Sequence, residues 1–377
     1  MNLLDHPSKP WIYCVTSGAG ASLQWTLWAT PGASEYFAGG SFPYATYETD
    51  RFLGYTPESY CSPDEAVELA LEAYCRACES LPEGRTPVGL AVTASVASLR
   101  EHRGDHRIHV AVATPKDVLR FTETLRKGVG LDARNNDEHY ATATASLLLS
   151  CAMEGKPLHW GPLACQPRLT DAELRQLFFA HPYFGWNGRR EKALPFTKDV
   201  VLLPGAFNPI HQGHRDMAIA VYGRTKKPVC YMITADSPHK PALTVQDLLS
   251  RAAMFRRERR AAIGVQVLFT EGDPLYIDKV RRFPGIGFAI GADAALRMLD
   301  PEWGPPIEPM LREFLELGTT FYVFRRSAPY PLREVNAASV LLRCDDLGVP
   351  RKYWDLFKPM NEEITDISST QIREGTR

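Results

Sequence analysis

The sequence predicts an α/β protein of two domains, the second of which is a doubly wound parallel sheet. At 377 residues the chain is long enough to bury two hydrophobic cores. Strand patterns alternate with helical patterns in both halves, which favours right-handed crossovers and parallel strands. Between the halves, residues 156–198 are rich in proline, glycine and aromatic residues, a composition typical of a linker.

The first domain, residues 1–155, reads as an α/β layer of its own. One helix is expected to begin at Ser62, which can cap it, with Pro63 at the first helical position and Glu65 completing a capping box. A second helical pattern runs over residues 137–153. Strand patterns occur at residues 11–15, 88–92 and 108–113.

The second domain, residues 199–377, contains short apolar runs of the kind found in buried strands. In a doubly wound sheet, ligands bind outside the carboxyl ends of the strands, where the strand order reverses. A short helix opened by Thr170 is expected within the linker, at residues 171–179. The five strand patterns lie at residues 200–203, 229–234, 265–269, 287–290 and 319–324.

Composition excludes several classes of protein. The hydrophobic fraction of 45% and the charged fraction of 23% are those of a globular protein. A net charge of −1 provides no general attraction for nucleic acid, and the arginine-rich run at residues 251–260 is interpreted as a solvated helix face. No segment has the apolar length of a signal peptide or a membrane span, so a cytoplasmic protein without a membrane partner is expected.

The eight cysteines lack the density of a disulfide framework and are expected to be reduced thiols. The close pair Cys75 and Cys78 lies in an apolar helical pattern, without a second pair for zinc. We therefore expect core cysteines and no metal site.

The most informative stretch follows the first strand of the second domain and reads Gly-Ala-Phe-Asn-Pro-Ile-His-Gln-Gly-His. Gly205 and Gly213 permit close approach of the backbone. His211 and His214 are three residues apart and project to one side of the helix that begins there. Two imidazoles and a helix amino terminus suit an anionic phosphate. Two structural histidines in a turn are the alternative, but the whole string favours a functional site.

This string resembles the first signature of the nucleotidyltransferase superfamily, which has an H-x-G-H loop and a Rossmann-like fold. The second signature, Ile-Ser-Ser-Thr-x-Ile-Arg, is intact at residues 367–373. Its hydroxyls and amides at a helix start, with Arg373 in the first turn, provide a second anion site.

Other segments resemble the nicotinate or nicotinamide mononucleotide adenylyltransferase branch. They are Pro-His-Lys at residues 238–240, Arg251-x-x-Met254, and Ile-Gly-Ala-Asp-Ala at 290–294 with Trp303 downstream. A threonine-rich segment of that branch is replaced here by residues 273–278. The resemblance implies adenylyl transfer from ATP, with its Mg²⁺, to a mononucleotide, with release of pyrophosphate.

The resemblance also implies the site residues. His211, His214 and Arg373 are expected to be catalytic. Asp293 is expected near the nucleotide sugar or ring, although a helix cap is an equally open role for it. The nucleotide-binding residues are expected to be Gly205, Ala206, Phe207, Asn208, Gly213, Lys240, Gly291, Asp293, Ile367, Ser368, Ser369 and Thr370.

Residues 17–47 resemble the start of the CinA carboxy-terminal domain family, known for hydrolysing the amide of nicotinamide mononucleotide. The resemblance places Ser17 on the family's nucleophilic serine, Tyr44 on its tyrosine and Thr93 on a threonine of a glycine-rich loop. The family's lysine falls on Thr49, which cannot act as a base. We therefore predict a vestigial site without deamidase activity, for which His139 is the candidate replacement base.

Alternatives stay open at this point for both domains. The second domain could use CTP, or transfer AMP to another phosphorylated acceptor such as phosphopantetheine. It could also be a sensor that binds nucleotide without catalysis. The first domain could provide the interface of a homo-oligomer, or it could bind a nucleotide.

Overall fold

A computed structural model gives the fold in two compact units. The first unit comprises Met1–His181, Gly188–Glu191 and Thr244–Arg257, and the second comprises Pro182–Asn187, Lys192–Leu243 and Glu258–Arg377. The structure describes residues 3–101, 103–155, 159–160, 163–164, 168–185, 190–191, 199–237, 241–261, 266–302, 304–325, 349–362, 364–365 and 369–375.

The first unit contains a mixed sheet in the strand order β2-β1-β3-β4-β5. Strand β1 pairs in parallel with β2 and with the central strand β3, whereas β4 and β5 continue the sheet antiparallel. The five strands of this sheet are β1 (Pro10–Ser17), β2 (Phe37–Ser41), β3 (Thr86–Ser95), β4 (His106–Ala113) and β5 (Val118–Leu125). The unit also contains the short strands β6 (His159–Trp160), β7 (Leu163–Ala164) and β9 (Arg190–Glu191). Its helices are α1 (Ala21–Ala29), α2 (Thr46–Leu53), α3 (Pro63–Glu79), α4 (Leu131–Glu154), α5 (Asp171–Phe179) and most of α7 (Val245–Ala261).

Helix α3 begins where the sequence predicts, because Ser62 accepts a hydrogen bond from the Glu65 amide at 3.1 Å. The other half of the predicted capping box is wrong. Both Glu65 carboxyl oxygens are buried and have no hydrogen-bond partner in the described residues. Helix α3 packs on β3 and β4, and Cys75 and Cys78 are buried on it as expected.

In the described part of the arginine-rich run, Arg251 and Arg256 do not lie on the solvated face that its composition predicts. Within the first unit, Arg256 donates to both oxygens of the buried Glu72 at 2.8 and 2.9 Å. Arg257 donates to the carbonyl oxygens of Cys78 and Glu79. The run therefore contains the contacts by which α7 packs against α3.

The second unit contains strands in the order β15-β14-β13-β10-β11-β12-β8. All neighbours are parallel except β8, which pairs antiparallel with β12. These strands are β8 (Tyr183–Phe184), β10 (Val201–Pro204), β11 (Val229–Thr234), β12 (Gln266–Thr270), β13 (Gly287–Gly291), β14 (Thr320–Phe324) and β15 (Phe357–Met360). The helices are α6 (Gln212–Thr225), α8 (Tyr276–Arg282), α9 (Ala292–Met298), α10 (Ile307–Glu316) and α11 (Ser369–Arg373).

The α/β fold class is confirmed, and all five strand patterns of the second domain coincide with strands. The first unit differs in detail, since the sequence did not indicate β2, β5 or α2. In the described part of the chain, no helix is both long enough and apolar enough to cross a membrane.

Candidate nucleotide site

The proposed site lies at the reversal of strand order in the second unit. From β10 the chain proceeds through β11 and β12 on one side, whereas β13, β14 and β15 lie on the other. The carboxyl ends of the adjacent parallel strands β10 and β13 therefore flank the point at which such sheets bind ligands. Residues 205–211 form the loop after β10, whereas Gly291 is the last residue of β13 and directly precedes α9.

The two motif histidines lie together at the start of α6. Their ring centroids are 3.6 Å apart and the rings are stacked at 25°. The His211 amide donates to Nδ1 of His214 at 3.3 Å. Because that bond uses the Nδ1 lone pair, the proton of a neutral His214 ring is on Nε2. His214 therefore has a donor nitrogen beside the helix amino terminus.

Phe207 fixes the loop that leads to these histidines. Its ring is fully buried and contacts the rings of His214 and Tyr231 edge to face, at centroid distances of 4.7 and 5.2 Å. It also lies over Gly205, where an added Cβ would be 2.6 Å from the Phe207 ring. Gly205 is therefore required for the loop to close over Phe207.

The second motif contacts this loop directly. Ser369 donates to the carbonyl oxygen of Pro209 at 2.8 Å, and Arg373 donates to that of Asn208. Arg373 also donates to the Thr370 hydroxyl at 3.0 Å. The fold thus brings together two motifs that are about 160 residues apart in sequence.

Two residues that join the motifs were not identified from the sequence. Asp216, one turn into α6, accepts hydrogen bonds from the amide and the hydroxyl of Thr365 at 2.9 and 2.7 Å. An added Cβ at Gly213 would lie 2.4 Å from the Thr365 carbonyl oxygen. Only the fold reveals this contact, because the partners are 149 residues apart.

Of the remaining predicted residues, some lie among the described residues and others do not. Gly291 caps α9, and an added Cβ there would lie 2.5 Å from Oδ1 of Asp293, so the Asp293 carboxylate is directed towards the end of β13. Ala206 lies in the loop after β10. The predicted residues Lys240, Ile367 and Ser368, together with Trp303, lie outside the described residues.

The segment that departs from the adenylyltransferase branch begins with a buried ionisable residue, Asp273, and a second one, Lys279, directly follows the segment. Lys279 donates to the carbonyl oxygens of Asp273 and, at 3.2 Å, Pro274. Burial raises the pKa of the Asp273 carboxyl and lowers the pKa of the Lys279 ammonium. This pair lies just beyond the carboxyl end of β12, and Asp236 accepts from the Gly272 amide at 2.7 Å.

In the first unit, the loop after β1 is held by side chains of α4. Glu138 accepts from the amides of Gly20 and Ser22 at 2.7 and 2.8 Å. Arg134 donates to the Gly18 carbonyl oxygen at 2.6 Å. The amides at the start of α1 therefore already bind a carboxylate, and Ser17 directly precedes this loop.

The other predicted vestigial residues lie in different surroundings. Thr93 is buried and donates to the Tyr60 carbonyl oxygen at 2.9 Å. Thr49 is buried and donates to the Pro43 carbonyl oxygen at 3.0 Å, which is a structural role. Tyr44 is 74% exposed and His139 is also exposed.

Comparisons with known proteins distinguish the two halves of the chain. Residues 202–375 match the family model described as cytidylyltransferase-like. The comparison with curated proteins found no match.

Solved structures of competence or damage-inducible proteins are similar to the amino-terminal part of the chain. That from Enterobacter asburiae is 18% identical, with a TM-score of 0.30, over 38% of this chain and 88% of its own. CihA from Agrobacterium tumefaciens is 19% identical, with a TM-score of 0.31, over 40% and 88%. A CinA superfamily protein from Enterobacter cloacae is 17% identical, with a TM-score of 0.31, over 40% and 85%.

The family match coincides with the described contacts around the two motifs. It begins inside β10 and ends just after α11, so it spans both the histidine loop and the segment of Arg373. Residues 202–375, just under half of the chain, are therefore similar to the cytidylyltransferase-like family.

Proposed function

We propose that the second unit transfers AMP from ATP to nicotinate or nicotinamide mononucleotide and releases pyrophosphate. The observation that supports it most is the assembly of both motifs at the reversal of strand order. There, Ser369 and Arg373 bind backbone oxygens of the loop that leads to His211 and His214. Cationic and hydroxyl side chains beside a helix amino terminus form a site for phosphates.

The proposed reaction needs no covalent enzyme intermediate. An oxygen of the acceptor's 5′-phosphate attacks the α-phosphorus of ATP and forms a new P–O bond. The bond from that phosphorus to the oxygen shared with the β-phosphate breaks, and its electron pair leaves with pyrophosphate. Catalysis of such a step depends on alignment and on stabilisation of the developing charge.

His214 is proposed to provide that stabilisation. Its Nδ1 accepts from the backbone, so its Nε2 proton is the one that can be donated to a phosphate oxygen. His211 is 8% exposed and stacks on His214, and it thereby limits the orientations of the His214 ring. A donor fixed before the reaction stabilises the transition state without reorganisation.

Arg373 is proposed to bind further phosphate oxygens. It is exposed, and its two described hydrogen bonds use two of the five N–H donors of a guanidinium group. Mg²⁺ would arrive with the triphosphate, since it binds oxygens and needs few protein ligands there. Nitrogen donors such as His214 and Arg373 suit the phosphates, not the metal.

The test is a panel of triphosphates against phosphorylated acceptors, with pyrophosphate release as the readout. We expect release with ATP and nicotinate or nicotinamide mononucleotide, and much less with CTP or phosphopantetheine. A preference for CTP or phosphopantetheine would replace the proposed substrates within the same reaction class. Binding of ATP without pyrophosphate release from any pair would instead indicate a sensor.

For the first unit we propose that no deamidase is present. The base position is occupied by Thr49, whose hydroxyl donates to the backbone, and the amides after Ser17 bind Glu138. The test is to incubate the full chain with nicotinamide mononucleotide and measure ammonia. Ammonia release that Ser17→Ala abolishes would make the chain bifunctional and the proposal wrong.

A further inference from the structure

The second motif and the residues just before it contact the first motif and the helix that follows it at three places along the chain. Arg373 reaches the carbonyl oxygen of Asn208, and Ser369 reaches that of Pro209. Upstream of both, Thr365 is bound by Asp216 through its amide and its hydroxyl. Of the three, only this last contact uses an acidic side chain.

A carboxylate at this place needs an explanation, because a negative charge near a phosphate site opposes anion binding. Asp216 follows His214 by two residues on α6, and residues two apart on a helix do not face each other. Both oxygens of the Asp216 carboxylate accept hydrogen bonds: Oδ2 accepts twice from Thr365, and Oδ1 accepts from Gln212 at 2.7 Å. Two of the three bonds that this carboxylate accepts therefore come from Thr365.

Two further observations support a fixed position for Thr365. Burial raises the pKa of Asp216, but the hydrogen bonds from Thr365 and Gln212 outweigh it and hold the pKa below its ordinary value. The group is therefore ionised at neutral pH, when its bonds are strongest. Gly213 leaves space for the Thr365 carbonyl oxygen, which an added Cβ would approach to 2.4 Å.

We propose that Asp216 is a positioning residue for nucleotidyl transfer: by binding Thr365 it sets the place of the segment that contains Arg373 relative to His211 and His214. This inference rests on the proposed function. It implies that the helix with the histidines and the segment with the arginine are aligned before the triphosphate binds, so less ordering has to occur on binding.

The experiment compares Asp216→Ala and Thr365→Val with Thr365→Ser, which keeps both donors. Glu316→Gln, at an exposed residue of α10, is the charge-matched control. We expect Asp216→Ala to lower kcat/KM roughly tenfold to a hundredfold through both kcat and the KM for ATP, as for loss of charged hydrogen bonds. Thr365→Val should lower kcat/KM by a smaller factor than Asp216→Ala does, whereas the kcat/KM of Thr365→Ser and of Glu316→Gln should match that of the wild type.

A second readout is independent of turnover. In Asp216→Ala, hydrogen exchange at the Thr365 amide and across Ser369–Arg373 should accelerate, with little change elsewhere in the second unit. Unchanged exchange in this segment, or unchanged kinetics with only a lower Tm, would overturn the positioning role. Failure of the proposed function would be seen separately, as no pyrophosphate release by the wild type with any substrate pair.

Discussion

At the scale of single residues, the His214 ring contacts the rings of both Phe207 and His211. We expect His214→Ala to reduce turnover by roughly two to three orders of magnitude, as for loss of one transition-state donor. The exposed His139 of the first unit supplies the control, since His139→Ala should leave pyrophosphate release unchanged. Unchanged turnover in a His214→Ala protein with a wild-type circular dichroism spectrum would contradict the mechanism.

Glu65 is a second residue with a specific prediction, because it is 1% exposed and its carboxyl has no partner in the described residues. Burial, followed by the charges of Glu68 and Asp50, raises its pKa from 4.5 to about 8. The native state therefore keeps this proton to higher pH than the unfolded chain does. The free energy of unfolding should fall between pH 4.5 and 8, by at most about 1.4 kcal/mol per pH unit from this group.

Glu65→Gln removes this titration. The variant should be more stable than the wild type at pH 8, and the difference should shrink as the pH falls towards 4.5. Urea denaturation at several pH values measures it. Parallel pH profiles for the two proteins would show that the Glu65 carboxyl is not protonated in the native state.

At the scale of elements, the start of α1 depends on a side chain of α4. Glu138 accepts from the amides of Gly20 and Ser22, two of the donors that a helix start leaves unsatisfied. Glu138→Gln removes the charge and one acceptor, and we expect a loss of roughly 1 kcal/mol with faster exchange at these two amides. Glu101→Gln, at an exposed residue, is the control, and equal stability of the two variants would contradict this role.

At the scale of the whole molecule, helix α7 lies between β11 and β12 in the sequence but belongs mainly to the first unit. There Arg256 pairs with Glu72, and their side chains are 15% and 3% exposed. We expect Arg256→Met to cost about 3 kcal/mol, because it leaves a buried carboxylate with fewer partners, and Glu72→Leu in the same chain to restore part of the loss. Thermal unfolding measures both.

The control is Arg281→Met, whose pair with Glu313 lies at an exposed position. Breaking that pair should cost less than about 1 kcal/mol. Equal losses for Arg256→Met and Arg281→Met would mean that the contact of α7 with α3 contributes no more than a surface ion pair.

The sequence by itself determined five of the strands of the second unit, β10 to β14, the capped start of α3 and the presence of the two motifs. Each depends on apolar runs, caps and spacings within a few residues, and these are readable along the chain. Only the tertiary structure decided that Glu65 is buried instead of closing a capping box and that Arg256 pairs with Glu72. It also decided that Asp216 binds Thr365. The energies of such groups depend on burial and on partners more than a hundred residues away, which folding alone brings together.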